Sequence, residues 1–158
     1  MLATAAHVVG YLFSECRTWV VLIRKERPAR LRGKWNGPGG RVEPNEQPSE
    51  AVMREFHEET GLLISEWNPF ATLFRTNGNP VYFFYATASV EVLMSAKTTT
   101  DEEVNIWRVA DILRVGRCHH LLTPWLMLLA LHHPISLIAL VSSDIPTIEY
   151  NNTPHAQE

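Results

Sequence analysis

The chain has 158 residues, 46% of them hydrophobic and 20% charged, with a formal net charge of −3. That length bounds it to one domain with a full-sized core, and the composition is that of a globular protein rather than a disordered or fibrous one. The small negative charge excludes a chain-wide attraction to nucleic acid.

Cys16 and Cys118 offer neither a disulfide framework nor a metal-binding spacing. They read as free thiols, and with no basic stretch and cleavage pattern at the N-terminus a cytoplasmic protein is expected. Residues 5–13 and 18–25 are β-branched and aromatic runs joined by a short polar turn, which predicts a hairpin. The loop that follows is rich in Pro, Gly and Asn and should lack regular structure. Seven of the fourteen Lys and Arg residues fall between positions 24 and 41: Arg24, Lys25, Arg27, Arg30, Arg32, Lys34 and Arg41. Taken singly, each reads as a solvated loop residue. As a cluster they suit contact with a polyphosphate. A short strand is expected at 41–43.

Next comes one amphipathic helix, expected over 47–60. Pro48 can occupy its first turn, where a missing N–H costs nothing, and Gly61 is placed to take the left-handed conformation just past its end. Glu55, Glu58 and Glu59 are related by i+3 and i+4 steps, so their carboxylates share one helix face. Three like charges on adjacent turns repel one another unless a cation neutralises them. Oxygen-only ligands at this density suit a hard divalent ion, Mg²⁺ or Mn²⁺.

Gly40-x5-Glu46-x7-Arg54-Glu55-Phe56-x-Glu58-Glu59-x-Gly61-Leu62 resembles the Nudix box at every defined position. The resemblance implies an α/β/α sandwich with a mixed sheet, the box forming a loop–helix–loop against it. It implies hydrolysis of a nucleoside diphosphate linked to another moiety, with Glu55, Glu58 and Glu59 as metal ligands joined by the backbone carbonyl of Gly40. Glu46 and Arg54 read as a pair bracing loop against helix, and Phe56 and Leu62 as packing residues. The stretch Trp35-Asn36-Gly37-Pro38-Gly39-Gly40 is similar to the Trp-Asn-Gly-x-Gly-Gly of the MutT-like enzymes that hydrolyse oxidised purine nucleoside triphosphates. There the Asn reads the base edge, and an amide offers both a donor and an acceptor to a purine. The paired aspartates those enzymes use further on have no clean match here.

Residues 67–76 and 81–90 are strand-like runs around Asn77-Gly78-Asn79-Pro80, which predicts a second hairpin. Residues 95–103 form a polar loop whose acidic run, Asp101-Glu102-Glu103, could read the base, bind a further metal or supply a general base; Glu103 is preferred for the catalytic role. A strand at 104–109, a helical turn at 111–115 and a core helix at 123–133 follow. His132-His133-Pro134 interrupts the apolar run 121–141, so a helix and a separate strand are expected rather than a membrane span. His57 should face solvent, and His119, His120, His132 and His133 read as helix-end residues. Residues 1–141 are expected to form the single domain and 142–158 a polar tail, with an edge strand at a homodimer contact as one role for it. The order β-β-β-α-β-β-β-α fits a mixed sheet sandwiched between helices.

The expected activity is Mg²⁺-dependent hydrolysis of a nucleoside triphosphate, an oxidised or modified purine nucleotide being the candidate, to the monophosphate and pyrophosphate. Catalysis falls to Glu55, Glu58, Glu59 and Glu103, substrate binding to Trp35, Asn36, Arg24, Arg27, Lys34 and Arg41. The alternatives are an ADP-ribose or dinucleotide pyrophosphatase, an enzyme removing caps from RNA 5′ ends, and a non-catalytic nucleotide sensor. No membrane and, a capped RNA end apart, no nucleic acid is expected as a partner.

Overall fold

The computed structural model describes residues 5–75, 79–114, 122–132 and the strand at 137–141. Strand β1 (His7–Ser14) turns into β2 (Trp19–Arg24) as an antiparallel hairpin, Leu12 opposite Val21 and Phe13 opposite Val20. The Ser14 hydroxyl closes the turn by accepting from the backbone N–H groups of Thr18 and Trp19 at 3.1 and 3.0 Å. β3 is only Trp35–Asn36, paired with the end of β2. Helix α1 spans Pro48–Thr60, then β4 (Asn68–Phe74) and β5 (Pro80–Ala88) form the second hairpin. Helix α2 (Val90–Met94), strand β6 (Glu103–Arg108), helices α3 (Val109–Arg114) and α4 (Thr123–His132), and strand β7 (Leu137–Val141) complete the order. All strands join one mixed sheet, β3-β2-β1-β5-β4-β7, with β6 along β2. The β1–β5 and β4–β7 pairs are parallel.

Along β1 the side chains alternate between the sheet's two faces, as a pleated strand requires. Val8 and Leu12 pack on the face covered by α1 and α2, with Val52, Phe56, Leu62 and Leu93. Tyr11 and Phe13 pack on the other, with Ile112, Leu126, Met127 and Ala130 of α3 and α4. Both faces are covered, which is why β1 and β2 read as nearly unbroken apolar runs. Phe56 is fully buried, its ring 4.9 Å from that of Trp67.

β6 pairs with β2 along its whole length, Trp19 to Arg24. A strand has two edges, so β1 and β3 share the other one, β1 at the start of β2 and β3 at its end. The two hairpin strands therefore diverge, and residues 37–42 run beside β1 in the space between. Gly10 N–H donates to the Pro38 carbonyl at 2.8 Å, Val8 N–H to that of Gly40 at 2.9 Å, and Val42 N–H to that of Ala6 at 3.0 Å. That divergence places the site.

Three expectations are corrected. Residues 41–43 form no strand, only an isolated bridge between His7 and Arg41, because Pro44 lacks a donor and Asn45 turns away at φ 68°. The preceding loop is not wholly irregular: it holds a 3₁₀ turn at Ala29–Leu31 and β3. The strand expected to reach Val90 ends at Ala88, because Ser89 caps the short helix α2 with its hydroxyl. The Asn77-Gly78 turn, Cys118, His119, His120, His133 and the tail 142–158 lie outside the described residues. Among the described residues no helix is long and apolar enough to cross a membrane.

Candidate active site

α1 begins as its sequence dictates, with Pro48 in the first turn and the Gln47 N–H donating to Glu50 at 2.8 Å. It ends at Gly61, in the left-handed region at φ 71°. Val52 and Phe56 face the sheet, which turns Glu55, Glu58 and Glu59 toward the loop at 37–42. Exposure rises steeply across the three: the Glu59 side chain is 12% exposed, Glu55 16% and Glu58 55%.

Arg54 organises the outer half. Its Nε and Nη2 donate to Glu46 Oε1 and Oε2 at 2.8 and 2.9 Å, and Nη2 also donates to the Arg41 carbonyl at 3.0 Å. Nη1 donates to Glu55 Oε1 at 2.9 Å and to Glu58 Oε2 at 3.3 Å. One guanidinium thus ties the box loop to two of the three helix carboxylates. It also holds the Glu46 carboxyl below the usual carboxylate range.

Glu59 anchors the inner half. Its Oε2 accepts from the Gly39 N–H at 2.7 Å, and its Oε1 lies 3.7 Å from Lys25 Nζ. Lys25 in turn donates to Glu102 Oε2 at 2.5 Å, whose other oxygen accepts from the Glu26 N–H at 2.9 Å. Burial pushes the Glu59 carboxyl up to about 8 in spite of Lys25 and the Gly39 N–H, with Glu102 and Glu55 adding their repulsion. Burial also raises the Glu55 carboxyl, outweighing Arg54.

The two glycines leave no room for a side chain. A Cβ on Gly40 would lie within the Glu55 carboxylate, and one on Gly39, at φ 156°, would strike the Val8 carbonyl. The loop lies this close to α1 at Gly40 and to β1 at Gly39 only because both residues lack a Cβ.

The donor set fits a hard divalent cation in its chemistry. It consists of oxygens alone, and Glu55 and Glu59 are desolvated carboxylates whose partners only partly offset their burial. Among the described residues no three acidic or imidazole side chains converge as they would around a bound ion, since Glu55 and Glu58 are turned onto Arg54. The Gly40 carbonyl accepts from Val8 N–H and keeps a second lone pair.

Beside this centre opens a cleft of about 800 Å³, with Gly37, Gly39, Gly40, Lys25 and Asn36 in its wall. Asn36 is held there by its own oxygen: Oδ1 accepts from the Tyr11 hydroxyl at 3.1 Å and from the Thr123 hydroxyl at 3.0 Å. Tyr11 is wholly buried, and burial pushes its hydroxyl above the ordinary phenol range, so it remains a donor.

The remaining predicted residues divide. Arg41 and Arg27 line the cleft, Arg27 with a partner in Asp101 at 2.9 Å. Arg24 pairs instead with Glu103 at 3.4 Å, both half exposed, and neither lines the cleft. The acidic-loop residue joined to Glu59 through Lys25 is Glu102, while Glu103 pairs with Arg24. Glu103 opens β6 opposite Arg24 and Glu102 stands just before it, so the register of β6 on β2 decides between them. Lys34 is exposed and outside the cleft lining. Trp35 is buried, its ring 5.2 Å from Trp107 at 68°, and packs the core. The expectation that Trp35 touches substrate has no support in this placement. Sequence reasoning missed His7 and Arg75 in the cleft wall, and Tyr11 and Thr123, which hold Asn36 there. None carries a local signal, since each arrives from an element distant in the chain.

A model of the NUDIX domain matches residues 3–126. An 8-oxo-dGTP diphosphatase of Proteus vulgaris is 25% identical over 107 residues, 68% of this chain and 92% of that protein. Human diphosphoinositol polyphosphate phosphohydrolase 3-alpha is 29% identical over 99 residues, 58% of this chain but only 57% of that protein. Among solved structures, the NUDIX domain of Shewanella oneidensis NrtR, complexed with ADP ribose, superposes with a TM-score of 0.68 at 19% identity, covering 82% of this chain and 88% of that one.

Proposed function

The chain belongs to the Nudix hydrolase family, and on that premise we propose that it hydrolyses the pyrophosphate bond of a purine nucleoside triphosphate, with an oxidised or modified base as the preferred form. The products are the nucleoside monophosphate and pyrophosphate. The observation that carries this reading is the Asn36 amide. With Oδ1 engaged by Tyr11 and Thr123, Nδ2 is the group left to the cleft, and it makes no hydrogen bond among the described residues. A fixed amide donor in the wall that also contains Gly39 and Gly40 suits a base edge that presents an acceptor, such as a purine carbonyl. The 8-oxo-dGTP diphosphatase relative supports the same substrate class.

Glu55, Glu58 and Glu59, with the Gly40 carbonyl, would hold Mg²⁺ or Mn²⁺, which when bound cancels phosphate charge and acidifies water for attack on phosphorus. The protein's own groups prepare that centre. Gly39 N–H and Lys25 orient Glu59, Glu102 holds Lys25 in place, and Arg54 fixes the loop to the helix. Lys25 in the cleft wall offers positive charge to the phosphates.

The test is a panel of nucleoside triphosphates, their oxidised purine forms, ADP-ribose and capped RNA, scored by kcat/KM with Mg²⁺ or Mn²⁺. Oxidised purine triphosphates should rank first, and Asn36→Ala should erase that ranking. Equal slowing of every substrate by Asn36→Ala would remove the base-reading role. Nucleotide binding without product release would identify a sensor instead.

A further inference from the structure

The cleft wall holds more positive charge than the hydrolase reading uses. Of the cations that line it, Lys25 and Arg27 have carboxylate partners, in Glu102 and Asp101. Arg30, Arg41 and Arg75 have no carboxylate partner among the described residues, and no acidic side chain lines the cleft. They come from separate segments: Arg30 from the 3₁₀ turn before β3, Arg41 from just after Gly40, and Arg75 from just beyond the end of β4. His7, at the start of β1, lines the cleft with them.

These groups are close enough to feel one another. Burial and the charges of Arg75, Arg41 and Arg30 push the His7 imidazole down, and burial and Arg30 push the Arg75 guanidinium down. Arg30 and Arg41 are exposed and Arg75 is partly buried. Here Leu73, Val81 and Phe83 line the same cavity, and such apolar walls strengthen repulsion between the cations. Convergence of like charges on an apolar-walled cleft is unfavourable unless an anion sits among them. The guanidinium fork matches a phosphate with paired, charge-assisted hydrogen bonds.

The Arg41 backbone carbonyl is held by Arg54, while its side chain lines the cleft with Arg30 and Arg75. The cluster therefore begins where the glutamate centre ends. We propose that His7, Arg30, Arg41 and Arg75 form a subsite for an additional phosphate group, distinct from those flanking the bond that is cleaved and carried elsewhere on the substrate. The substrate class is then a nucleotide with a further phosphate on its sugar or on the attached moiety. This extends the hydrolase reading, on which its kinetic consequence rests; phosphate binding itself does not depend on that reading.

The first experiment is a calorimetric titration of the EDTA-treated protein with inorganic phosphate. One saturable site is expected, weakened about tenfold or more in Arg30→Ala/Arg75→Ala and partly retained in Arg75→Lys. Absence of saturable binding, or undiminished binding in a folded double variant, overturns the subsite. The second experiment compares KM for a nucleoside 5′-triphosphate and for the same nucleotide with an added 3′-phosphate. The added phosphate should lower KM about tenfold, and the ratio should collapse toward one in the double variant. Equal KM values in the unmodified protein overturn the substrate class. Lack of turnover on either nucleotide, with phosphate binding intact, sinks the hydrolase reading and supports the subsite.

Discussion

Arg54 holds Glu46 through two parallel hydrogen bonds of 2.8 and 2.9 Å, a fork-to-carboxylate grip that fastens the box loop to α1. The same guanidinium reaches Glu55 and Glu58, so the brace also sets the position of two candidate metal ligands. Arg54→Lys keeps the charge but loses the fork. It should cost about 1–2 kcal/mol of stability, read by urea denaturation, and lower kcat more than it raises KM. Unchanged kcat would show that the brace has no bearing on catalysis.

Glu59 predicts a pH dependence. Its carboxyl is pushed up to about 8 by burial, so the folded protein favours the protonated form between the usual carboxylate range and pH 8. For the metal-free protein this contribution to stability is fully present below the unfolded-state pKa, near 4.5, and is lost as pH rises through about 8. Thermal melts in EDTA should therefore fall over that window, and Glu59→Gln should flatten the trend. Divalent-metal affinity should rise over the same window, by up to about tenfold per pH unit, because the ligand must shed its proton first. Titration calorimetry at pH 6, 7 and 8 checks this; a flat affinity would remove Glu59 from the ligand set.

Glu58 is the most exposed of the three carboxylates, so its loss disturbs the fold least. Glu58→Gln should leave the melting temperature nearly unchanged and reduce Mg²⁺-dependent turnover by about a hundredfold or more. Full activity in Glu58→Gln/Glu59→Gln would sink the proposed chemistry.

Gly40→Ala places a methyl group in the Glu55 carboxylate. The helix is held by Phe56 and Val52 from the other side, so the carboxylate is the part that moves. Turnover should fall by about tenfold or more while circular dichroism stays unaltered, since a small misplacement of a catalytic group is costly. Activity equal to that of the parent protein would show that Glu55 need not lie against the loop.

Tyr11→Phe removes one of the two donors that fix Asn36 and leaves the ring in place beside Phe13 and Phe70, at 6.4 Å from each. KM for the preferred purine nucleotide should rise about fivefold, near 1 kcal/mol, with pyrimidine nucleotides unaffected. An equal rise for both would show that Tyr11 supports the cleft generally and not base recognition.

The glutamate face of α1 was legible because a helix repeats every 3.6 residues whatever surrounds it. Pro48 and Gly61 marked its ends, and Glu55, Glu58 and Glu59 fell on one side by local geometry alone. The first hairpin was legible for the same reason, from two apolar runs and a polar turn. Glu46 and Arg54 were legible as a pair because only Gln47 and fewer than two helical turns separate them.

Which member of Glu102 and Glu103 joins the centre was not legible, because it depends on the register of β6 against β2, about eighty positions away in the chain. A shift of one residue would exchange them. The burial of Trp35 was not legible either, because it depends on β3 turning its ring into the core against Trp107. Sequence alone determined the chemistry of α1, a local matter of spacing and residue type. Only the tertiary structure decided what surrounds that chemistry. The divergence of β1 from β2 opens the cleft, and pairings between distant elements bring His7 and Arg75 to its wall and Tyr11 and Thr123 onto Asn36, from three parts of the chain: β1, the end of β4 and α4.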